Sequence, residues 1–530
     1  MKSKNIIFIL SLSLLFVSCN RKEIVSSQVP SSITSNGTSF NSSNTQVTQF
    51  DFIQKITSAG SYTLTGTING SILIDAPSDS DVELILDNVT ITSNFNSPIY
   101  CKNANELKIK LVNNNIINDS RPQLNSASED ETQGKGTIYS KSDLKFVGSG
   151  SLVINANYNN GIHSTDDIKF KNTGRIDISS YNHSIKGNDS VSIESGTFNI
   201  TSINGSGIKT EKTSISSKGN QKGYISITGG DIQINSKEDA IEAAFDVTIE
   251  NNPSITINTS KYANYSTNRN LLNPGPGPGG MQEGNNDKAD YSAKGIKSDN
   301  EIFIKGGTID IKAYDDAIHA NRGTLLENGN VGQGNVTISG GTLNLYASDD
   351  AIHADNINTI RGGTIDITNS YEGIEGNIIN IYDGYIKVYS TDDGLNAANK
   401  AGVSPEINIY GGVIDITVYG GDVDGIDSNN SYTQTGGIVI TKGGTGRMST
   451  GLDTDGKCMI TGGTLISFGK PENVPETSGS VRTYTLQGSY SIGNYKITNG
   501  TKEITISTKY SYSVIYIYSD ETNNFVVTKM

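Results

Sequence analysis

Acidic residues recur at one place in a repeated pattern, immediately before a short corner of the form small-Ile-x-small, in which Leu sometimes replaces Ile. If the repeats stack in register, these carboxylates lie about 5 Å apart and repel one another by roughly 0.8 kcal/mol even in water. Such all-oxygen groups are the ligands that Ca²⁺ prefers, so the pattern predicts calcium sites between adjacent repeats. The alternative is that each Asp bonds its own backbone in an Asx-turn. The predicted metal ligands are Glu238, Asp239, Asp315, Asp316, Asp349, Asp350, Asp392, Asp393 and Asp424, with Glu372 in an equivalent position.

A second set of polar residues occupies the variable position inside the same corner. It changes along the chain from cationic to acidic, and three of the four histidines fall in it. Zinc fits poorly here, because neighbouring His319 and His353 supply only two nitrogens and no cysteine is close in register. We therefore interpret this set as candidate carbohydrate ligands, while an edge that tolerates any polar residue is the alternative. The candidates are Lys297, His319, His353, Glu375 and Asn396.

Tyrosines supply a third candidate surface. Alternation within the apolar segments places Tyr346 and Tyr389 outward at one position and Tyr314 outward at a neighbouring one, beside Lys312. Flat rings next to amide, carboxylate and ammonium groups suit stacking and hydrogen bonding to sugars. Tyrosine is also common on exposed sheets, so this signal is weak when taken alone.

The elements that must position these residues follow from a repeat. A Gly-rich corner leads into alternating apolar residues, and six times it precedes the small-Ile-x-small corner by eleven residues. Within a segment such as Thr364 to Ile367, Ile365 and Ile367 should point inward. The pattern predicts an all-β fold, a right-handed, single-stranded parallel β-helix of about thirteen coils of roughly 21 to 24 residues. Neither the leucine-rich pattern nor the calcium-binding nonapeptide pattern occurs.

The first residues predict export. Residues 1–18 contain two lysines and then an apolar run that is too short for a permanent membrane span, which indicates a signal peptide. The residues that lead to Cys19 resemble a bacterial lipobox, so we expect lipidation of Cys19 and anchoring to the bacterial membrane. An ordinary signal peptide that is cut elsewhere is the alternative. Residues 19–48 are rich in Ser, Thr and Asn and predict a disordered tether.

The remainder divides into a body and a cap. Residues 49–470 carry the repeat, interrupted by a Gly/Pro-rich insertion at 258–293 that is either a functional loop or a plain excursion. Residues 471–530 predict β-hairpins that close the end of the stack. Cys101 and Cys458 lie in distant coils, so we expect two buried thiols rather than a disulfide.

The net charge of 41 minus 55, or −14, repels nucleic acid, so we expect no nucleic-acid partner. Nothing in the sequence requires a second copy, and we expect a monomer.

The Gly-Gly-Thr-Ile-x-Ile coil, the Asp-Asp-Ala-Ile corner, the Gly/Pro-rich insertion and the hairpin-type C-terminus together resemble a known family. It is the bacterial calcium-binding parallel β-helix carbohydrate-binding domain family, whose fold is similar to that of pectate lyases. The likeness covers roughly residues 50–530. It implies Ca²⁺ as cofactor and binding of cellulose-like or acidic pectin-like polysaccharides without demonstrated catalysis, at the cell surface or in the periplasm.

Two other functions remain open at this stage. A pectate-type polysaccharide lyase would need a base beside calcium, and Lys294 and Lys297 are the candidates. A structural surface adhesin fits the tether and the solenoid equally well. A polygalacturonase-like hydrolase would require Gly-His-Gly and Arg-Ile-Lys, and neither motif occurs. We therefore predict a polysaccharide-binding lipoprotein with no catalytic residues.

Overall fold

A computed structural model describes residues 32–35, 38–40, 54–124, 133–259, 291–444, 446, 448–500 and 502–530. The predicted signal peptide, the lipidation site Cys19 and most of the tether and of the insertion at 258–293 lie outside the described residues. All regular structure within the described ranges is β-strand, and the strands of the coils pair in parallel, which confirms the predicted fold class. Among these residues, none forms a helix with the length and apolarity that crossing a bilayer requires.

The chain divides into two compact units, residues 1–187 with 195–197 and residues 188–194 with 198–530. The strands up to Gly187 are β1 Ser32–Ser35, β2 Thr38–Phe40, β3 Gln54–Ile56, β4 Gly60–Asn69, β5 Ile72–Asp75, β6 Asp81–Ser93, β7 Ile99–Asn103, β8 Glu106–Val112, β9 Asn114–Asp119, β10 Gly136–Ser140, β11 Asp143–Ala156, β12 Asn160–Ser164, β13 Asp167–Ser180 and β14 Ile185–Gly187. The strands from Ser190 to Asn258 are β15 Ser190–Ile193, β16 Thr197–Ser202, β17 Ile208–Lys209, β18 Tyr224–Ile227, β19 Asp231–Ser236, β20 Ile241–Ala243, β21 Asp246–Ile249 and β22 Ser254–Asn258.

The strands from Ile296 to Ser390 are β23 Ile296–Ser298, β24 Glu301–Ile304, β25 Thr308–Lys312, β26 Ile318–Ala320, β27 Arg322–Leu325, β28 Val331–Gln333, β29 Asn335–Ile338, β30 Thr342–Tyr346, β31 Ile352–Ile360, β32 Thr364–Asn369, β33 Ile374–Ile381 and β34 Tyr385–Ser390. Those from Leu395 to the C-terminus are β35 Leu395–Ala397, β36 Glu406–Ile409, β37 Val413–Val418, β38 Ile426–Ser428, β39 Ser431–Gln434, β40 Ile438–Lys442, β41 Asp453–Thr454, β42 Cys458–Ile460, β43 Thr464–Phe468, β44 Glu476–Thr477, β45 Arg482–Tyr490, β46 Gly493–Thr498, β47 Glu503–Thr508, β48 Tyr512–Ser519 and β49 Val526–Lys529.

Each coil of the second unit contributes one strand to each of three faces. Face A contains β19, β22, β25, β30, β32, β34, β37, β40 and β43. Face B contains β20, β23, β26, the first parts of β31 and β33, β35, β38 and β41. Face C contains β18, β21, β24, β29, the second parts of β31 and β33, β36, β39 and β42. Residues one coil apart are therefore one strand spacing apart, about 4.8 Å.

Stacked aliphatic side chains fill the interior of the coils. On face A, Leu343 pairs with Ile365 and Ile365 with Ile386, and all three are buried. Ile365 and Ile367 are both fully buried, as the period-two alternation predicts. In the first unit, strands β7, β10, β12 and β14 pair in the same way.

The second glycine of the Gly-Gly corner has a specific role. Gly363 has a φ of 97°, and a Cβ added to it would lie 3.0 Å from the carbonyl oxygen of Gly341 in the preceding coil. A side chain at this position would be strained by both the backbone conformation and the close approach of the coils.

Part of the predicted tether is ordered as strand. Strand β1 pairs antiparallel with β2 and with β4. The prediction of a tether without regular structure is therefore wrong for these residues. The physical reason is that β4 offers unpaired backbone groups at the edge of a sheet, which a Ser/Thr-rich segment can pair with.

The C-terminal hairpins extend one face of the coils. Strand β48 pairs antiparallel with β43 and β45, so it continues face A beyond the last coil. A second sheet of β46, β47 and β49 packs against the outer side of this extension, where Ile440, Ile466 and Phe468 contact Tyr495 and Ile497. The two cysteines, Cys101 and Cys458, are both free and buried.

The inward ladder makes a direct prediction about stability. Ile367→Ala should lower the free energy of unfolding by about 2–5 kcal/mol, because it opens a cavity in a fully buried column. The matched change at the exposed Thr364 of the same strand, Thr364→Ala, should cost no more than about 0.5 kcal/mol. Urea unfolding measures both, and equal losses would contradict the assignment of an inward face.

Candidate functional site

The acidic residues before face B stand in one column of the second unit. In each pair the second acid, which we call the deeper acid, is the more buried one. One of its carboxylate oxygens accepts a hydrogen bond from a backbone N–H of the next coil. The donor–acceptor distances are 3.0 Å from the Asp350 N–H to Asp316 Oδ1 and 3.2 Å from the Glu372 N–H to Asp350 Oδ1. The Asp424 N–H donates to Asp393 Oδ1 at 2.6 Å. The structure thus brings these residues together, and it replaces the alternative of an Asx-turn within one coil by a bond between coils.

Lysines neutralise the first part of the column. The Lys294 ammonium lies 2.5 Å from Asp315 Oδ2 and 3.3 Å from Asp316 Oδ2. The Lys297 ammonium lies 3.5 Å from Asp239 Oδ2 and 3.8 Å from Glu242 Oε1. The predicted metal ligands Asp239, Asp315 and Asp316 are therefore paired with ammonium groups of the protein.

The same contacts determine whether Lys294 or Lys297 can act as a general base. Burial opposes the charged form of Lys294, but Asp316 and Asp315 outweigh it and raise the pKa of Lys294. Burial also opposes the charge of Lys297, and Asp239 with Glu242 raises its pKa in turn. A base must be deprotonated at the working pH, so neither lysine suits that role near neutrality.

Two histidines occupy the middle of the column. Their rings stack with centroids 4.3 Å apart and an angle of 14° between the planes. His319 Nδ1 lies 2.5 Å from Asp316 Oδ2, and His353 Nδ1 lies 2.8 Å from Asp350 Oδ2 and 2.9 Å from Glu375 Oε2. Each ring is therefore held by a carboxylate of its own coil.

The charge of this middle part is carried by one imidazole and one lysine. Burial disfavours the charged form of His353, but Asp350, Asp355 and Glu375 outweigh it and raise the pKa of His353 well above its usual value. The Lys400 ammonium lies 2.6 Å from Glu375 Oε2. Sequence reasoning missed Lys400, because it reaches Glu375 from the connection between faces B and C and belongs to no repeated position.

The last part of the column differs, because no lysine, arginine or histidine forms an ion pair with its acids among the residues that the structure describes. Asn396 donates a hydrogen bond of 2.7 Å to Glu372 Oε1 and pairs in register with Asp427. Glu372 Oε2 and Asn396 Oδ1 are buried and have no hydrogen-bond partner in this part of the chain. We define the C-terminal acidic cluster as Glu372, Asp393, Asn396, Asp424 and Asp427.

The carboxyl groups of this cluster resist ionisation. Burial, then Asp350 and Glu375, raises the pKa of Glu372 to about 10. Burial raises the pKa of Asp424 to about 6, and burial with neighbouring Asp424 raises that of Asp427 to about 7. These are the properties of acids that lack a counter-charge. Carboxyl and amide oxygens are the type of ligand that Ca²⁺ prefers. Among the described residues, however, the groups of three acids or histidines whose ligand atoms lie within 4.8 Å of one another do not include this cluster, so it suits Ca²⁺ by ligand type and not by a preformed geometry.

The predicted metal ligands thus separate into three groups. Asp392, Asp393 and Asp424 lie in or beside the C-terminal acidic cluster. Asp349 and Asp350 belong to the middle, where the carboxylates of Asp315, Asp316 and Asp349 have oxygens within 4.8 Å of one another. Glu238, Asp239, Asp315 and Asp316 are in the lysine-containing coils. Asp427 was not predicted as a ligand, although the loss of cationic residues from its column after His353 is visible in the sequence.

The candidate carbohydrate ligands of face B stand in register but are less exposed than predicted. Lys297, His319, His353, Glu375 and Asn396 pair successively along the face. His353, Glu375 and Asn396 are each at most 8% exposed. Their polar atoms bind one another and neighbouring acids, so this column is an internal polar network.

Face A presents the more open surface. A cavity of about 310 Å³ lies on its outward side, and its lining includes Asp310, Lys312, Asn344 and Tyr346. The Asn344 amide donates to Asp310 at 3.0 Å, and the Lys312 ammonium lies 5.4 Å from the centre of the Tyr346 ring. The other two predicted tyrosines have aromatic or cationic neighbours. The ring centres of Tyr314 and Tyr291 are 6.4 Å apart, and the Lys509 ammonium lies 3.5 Å from the centre of the Tyr389 ring.

Comparisons with known proteins show the family to which this chain is similar. Residues 51–334 and 331–418 match the family described as carbohydrate-binding domain-containing proteins. A protein of that description from Acetivibrio thermocellus is 39% identical over 118 residues, which are 22% of this chain and 41% of the relative. The chain therefore spans less than half of that protein's length. A solved structure of a polysaccharide lyase-like protein from C. thermocellum, a gadolinium derivative, is 35% identical and covers 42% of this chain and 86% of its own, with a TM-score of 0.36.

Removal of the Lys294 ammonium tests the neutralisation of the first part of the column. Lys294→Met should lower the free energy of unfolding by about 3 kcal/mol at pH 7.5, because two poorly exposed carboxylates lose their partner. The control Lys305→Met breaks an exposed pair with Glu250 and should cost less than about 1 kcal/mol. Urea unfolding with a chelator present measures both, and a Lys294 loss as small as the control's would contradict this role.

Proposed function

Because this chain belongs to the family of carbohydrate-binding domain-containing proteins, we propose that it holds a polysaccharide on the outward side of face A and uses Ca²⁺ to neutralise the C-terminal acidic cluster. The observation that carries the proposal is the cavity on face A, where a carboxylate, an amide, an ammonium group and a tyrosine ring converge. These groups are the ones that hydrogen-bond sugar hydroxyls and stack on sugar rings.

The repeat supports a polymeric ligand. Outward residues of face A recur at each coil, so similar polar groups line the face at intervals of about 4.8 Å. Asp310 pairs in register with Asn344, and Asn344 with Asp366. A chain of sugars lying along the stack would meet such groups repeatedly, whereas a single sugar would use only one set.

Calcium serves the acidic cluster in this proposal. Glu372, Asp393, Asp424 and Asp427 would supply carboxylate oxygens, and the unpartnered Oδ1 of Asn396 would supply an amide oxygen. Burial, and then repulsion by neighbouring acids, raises the pKa of these acids, and a bound divalent cation offsets both effects. It would therefore stabilise the coils that carry the neighbouring end of face A.

We propose that the protein binds without turning over its ligand. The two lysines available to a lyase as a base, Lys294 and Lys297, have raised pKa values and sit in ion pairs. We further propose that the protein acts as a monomer at the cell surface or in the periplasm, anchored through a lipid on Cys19.

Glycan binding is tested with the aromatic group of the cavity. Tyr346→Ala should weaken the binding of a soluble polysaccharide about fivefold to tenfold, because the ring loses its stacking contact. Affinity electrophoresis in gels with polygalacturonate or hydroxyethylcellulose measures the effect. The control Tyr224→Ala removes a tyrosine that is 37% exposed on face C and should migrate like the parent chain. Equal retardation of both variants, or no retardation of the parent by any polymer, would contradict the proposal.

The pH dependence of stability tests the calcium site. The unfolded chain releases the protons of Asp424 and Asp427 near pH 4, while the folded chain keeps them to about pH 6 and 7. With a chelator, the contribution of these two acids to stability should therefore be fully present below about pH 4 and be lost as the pH rises from about 4 to 7. Calcium binds the deprotonated form, so the rise in Tm caused by calcium should grow over the same range.

A substitution separates this effect from a general one. Asp427→Asn should raise Tm at pH 7.5 in chelator, because one repelling charge is removed, and should reduce the increase caused by calcium. Asp79→Asn, at an exposed turn, should change neither value. Scanning calorimetry with and without millimolar calcium measures both variants, and a calcium response that is the same in the two would rule out this cluster as the site.

A further inference from the structure

We propose that the C-terminal cap completes the glycan-binding face, with Lys509 as a specificity-determining residue that binds an anionic substituent, a carboxylate or a sulfate ester, of the polysaccharide. This inference rests on the proposed function. Lys509 lies in the turn between β47 and β48, so the cap places it beside face A.

Face A has more positive than negative charges near Lys509, and Lys509 is the cation that no carboxylate balances among the described residues. Face A carries Asp366, Lys387 and Asp415 in register on successive coils. Lys387 lies 3.5 Å from Asp366, and Lys442 forms an ion pair with Asp415. The two acids are therefore matched by two lysines of their own face, and no carboxylate in the described part of the chain forms an ion pair with Lys509.

Tyr389 holds this ammonium in place. The Lys509 Nζ lies 3.5 Å from the centre of the Tyr389 ring, which is a close cation–π contact. The contact fixes the ammonium without neutralising it, because the ring carries no net charge. Tyr389 is thus a positioning residue for Lys509, and the sugar-stacking role predicted from the sequence passes to Tyr346.

A second pair of the same kind lies on the same face. Lys312 pairs in register with Tyr346, and its ammonium lies 5.4 Å from that ring, beside the cavity. Tyr346 pairs with Asn369 of the next coil, and Tyr389 lies on the coil after that, so the two tyrosines are about 10 Å apart along the stack. Two ammonium groups held by tyrosine rings on one face suit a polymer that carries repeated anionic groups.

Local charge decides such an interaction. The chain as a whole carries −14, which repels a polyanion. At physiological ionic strength, charges more than about 8 Å apart are largely screened, so a bound anion responds to the groups next to it. Burial lowers the pKa of Lys509, and the positive charges of neighbouring Lys387 and Lys442 lower it further.

The experiment compares charged and neutral polymers on the full chain. Lys509→Gln should weaken binding of polygalacturonate or dextran sulfate about tenfold and leave binding of hydroxyethylcellulose unchanged. Lys509→Arg should retain binding of the anionic polymers, and Tyr389→Leu should weaken it in the same direction as Lys509→Gln. Lys218→Gln removes one positive charge from an exposed loop and is the matched control. Affinity electrophoresis is run with calcium and with a chelator, and an unchanged Tm verifies folding.

The outcomes separate this inference from the proposed function. If the parent chain binds no polymer, the proposed function fails and this inference with it. If the parent binds polymers and Lys509→Gln behaves like Lys218→Gln, the inference alone is overturned. A loss that is equal for neutral and anionic polymers also overturns it, because Lys509 would then act through the fold. Loss for one anionic polymer only would support the inference and identify the substituent as carboxylate or sulfate.

Discussion

The hydrogen-bonded register between successive parallel coils is the constraint on which the rest of the structure depends. It places residues one turn apart at one strand spacing, so isoleucines become a continuous buried column and acids become a line of close carboxylates. The first result is favourable because apolar area leaves water. The second is unfavourable unless a counter-charge is present, and the same geometry creates both.

The acidic column satisfies this requirement in three different ways. Lys294 and Lys297 neutralise its first coils, while a charged His353 and Lys400 neutralise the middle. The acids of the C-terminal acidic cluster have raised pKa values, and no lysine, arginine or histidine in the described part of the chain forms an ion pair with them. The proposed metal ion would therefore act on this cluster and not on the whole column. One repeated motif thus has different chemistry in different coils.

The sequence predicts what the repeat controls. The coil, the inward Ile365 and Ile367 and the common column of Asp316, Asp350 and Asp393 all follow from spacing, because spacing sets register. It does not predict contacts made by segments that lack the repeat. Lys400 and Lys509 reach Glu375 and Tyr389 from a connecting segment and from the cap, so no periodicity indicates them. The low exposure of His353 could not be predicted for the same reason. Alternation shows that a side chain points outward, but it does not show which other residues cover it.

The two carboxylate oxygens of a deeper aspartate have different hydrogen-bond partners, and this difference has an evolutionary consequence. In Asp316, one oxygen joins its coil to the next through a backbone N–H, while the other meets the neutralising group. Mutation can therefore exchange that group between lysine and histidine without disturbing the hydrogen bond between coils. Duplication of a coil therefore copies the hydrogen bond between coils and leaves the electrostatic partner of each aspartate free to diverge.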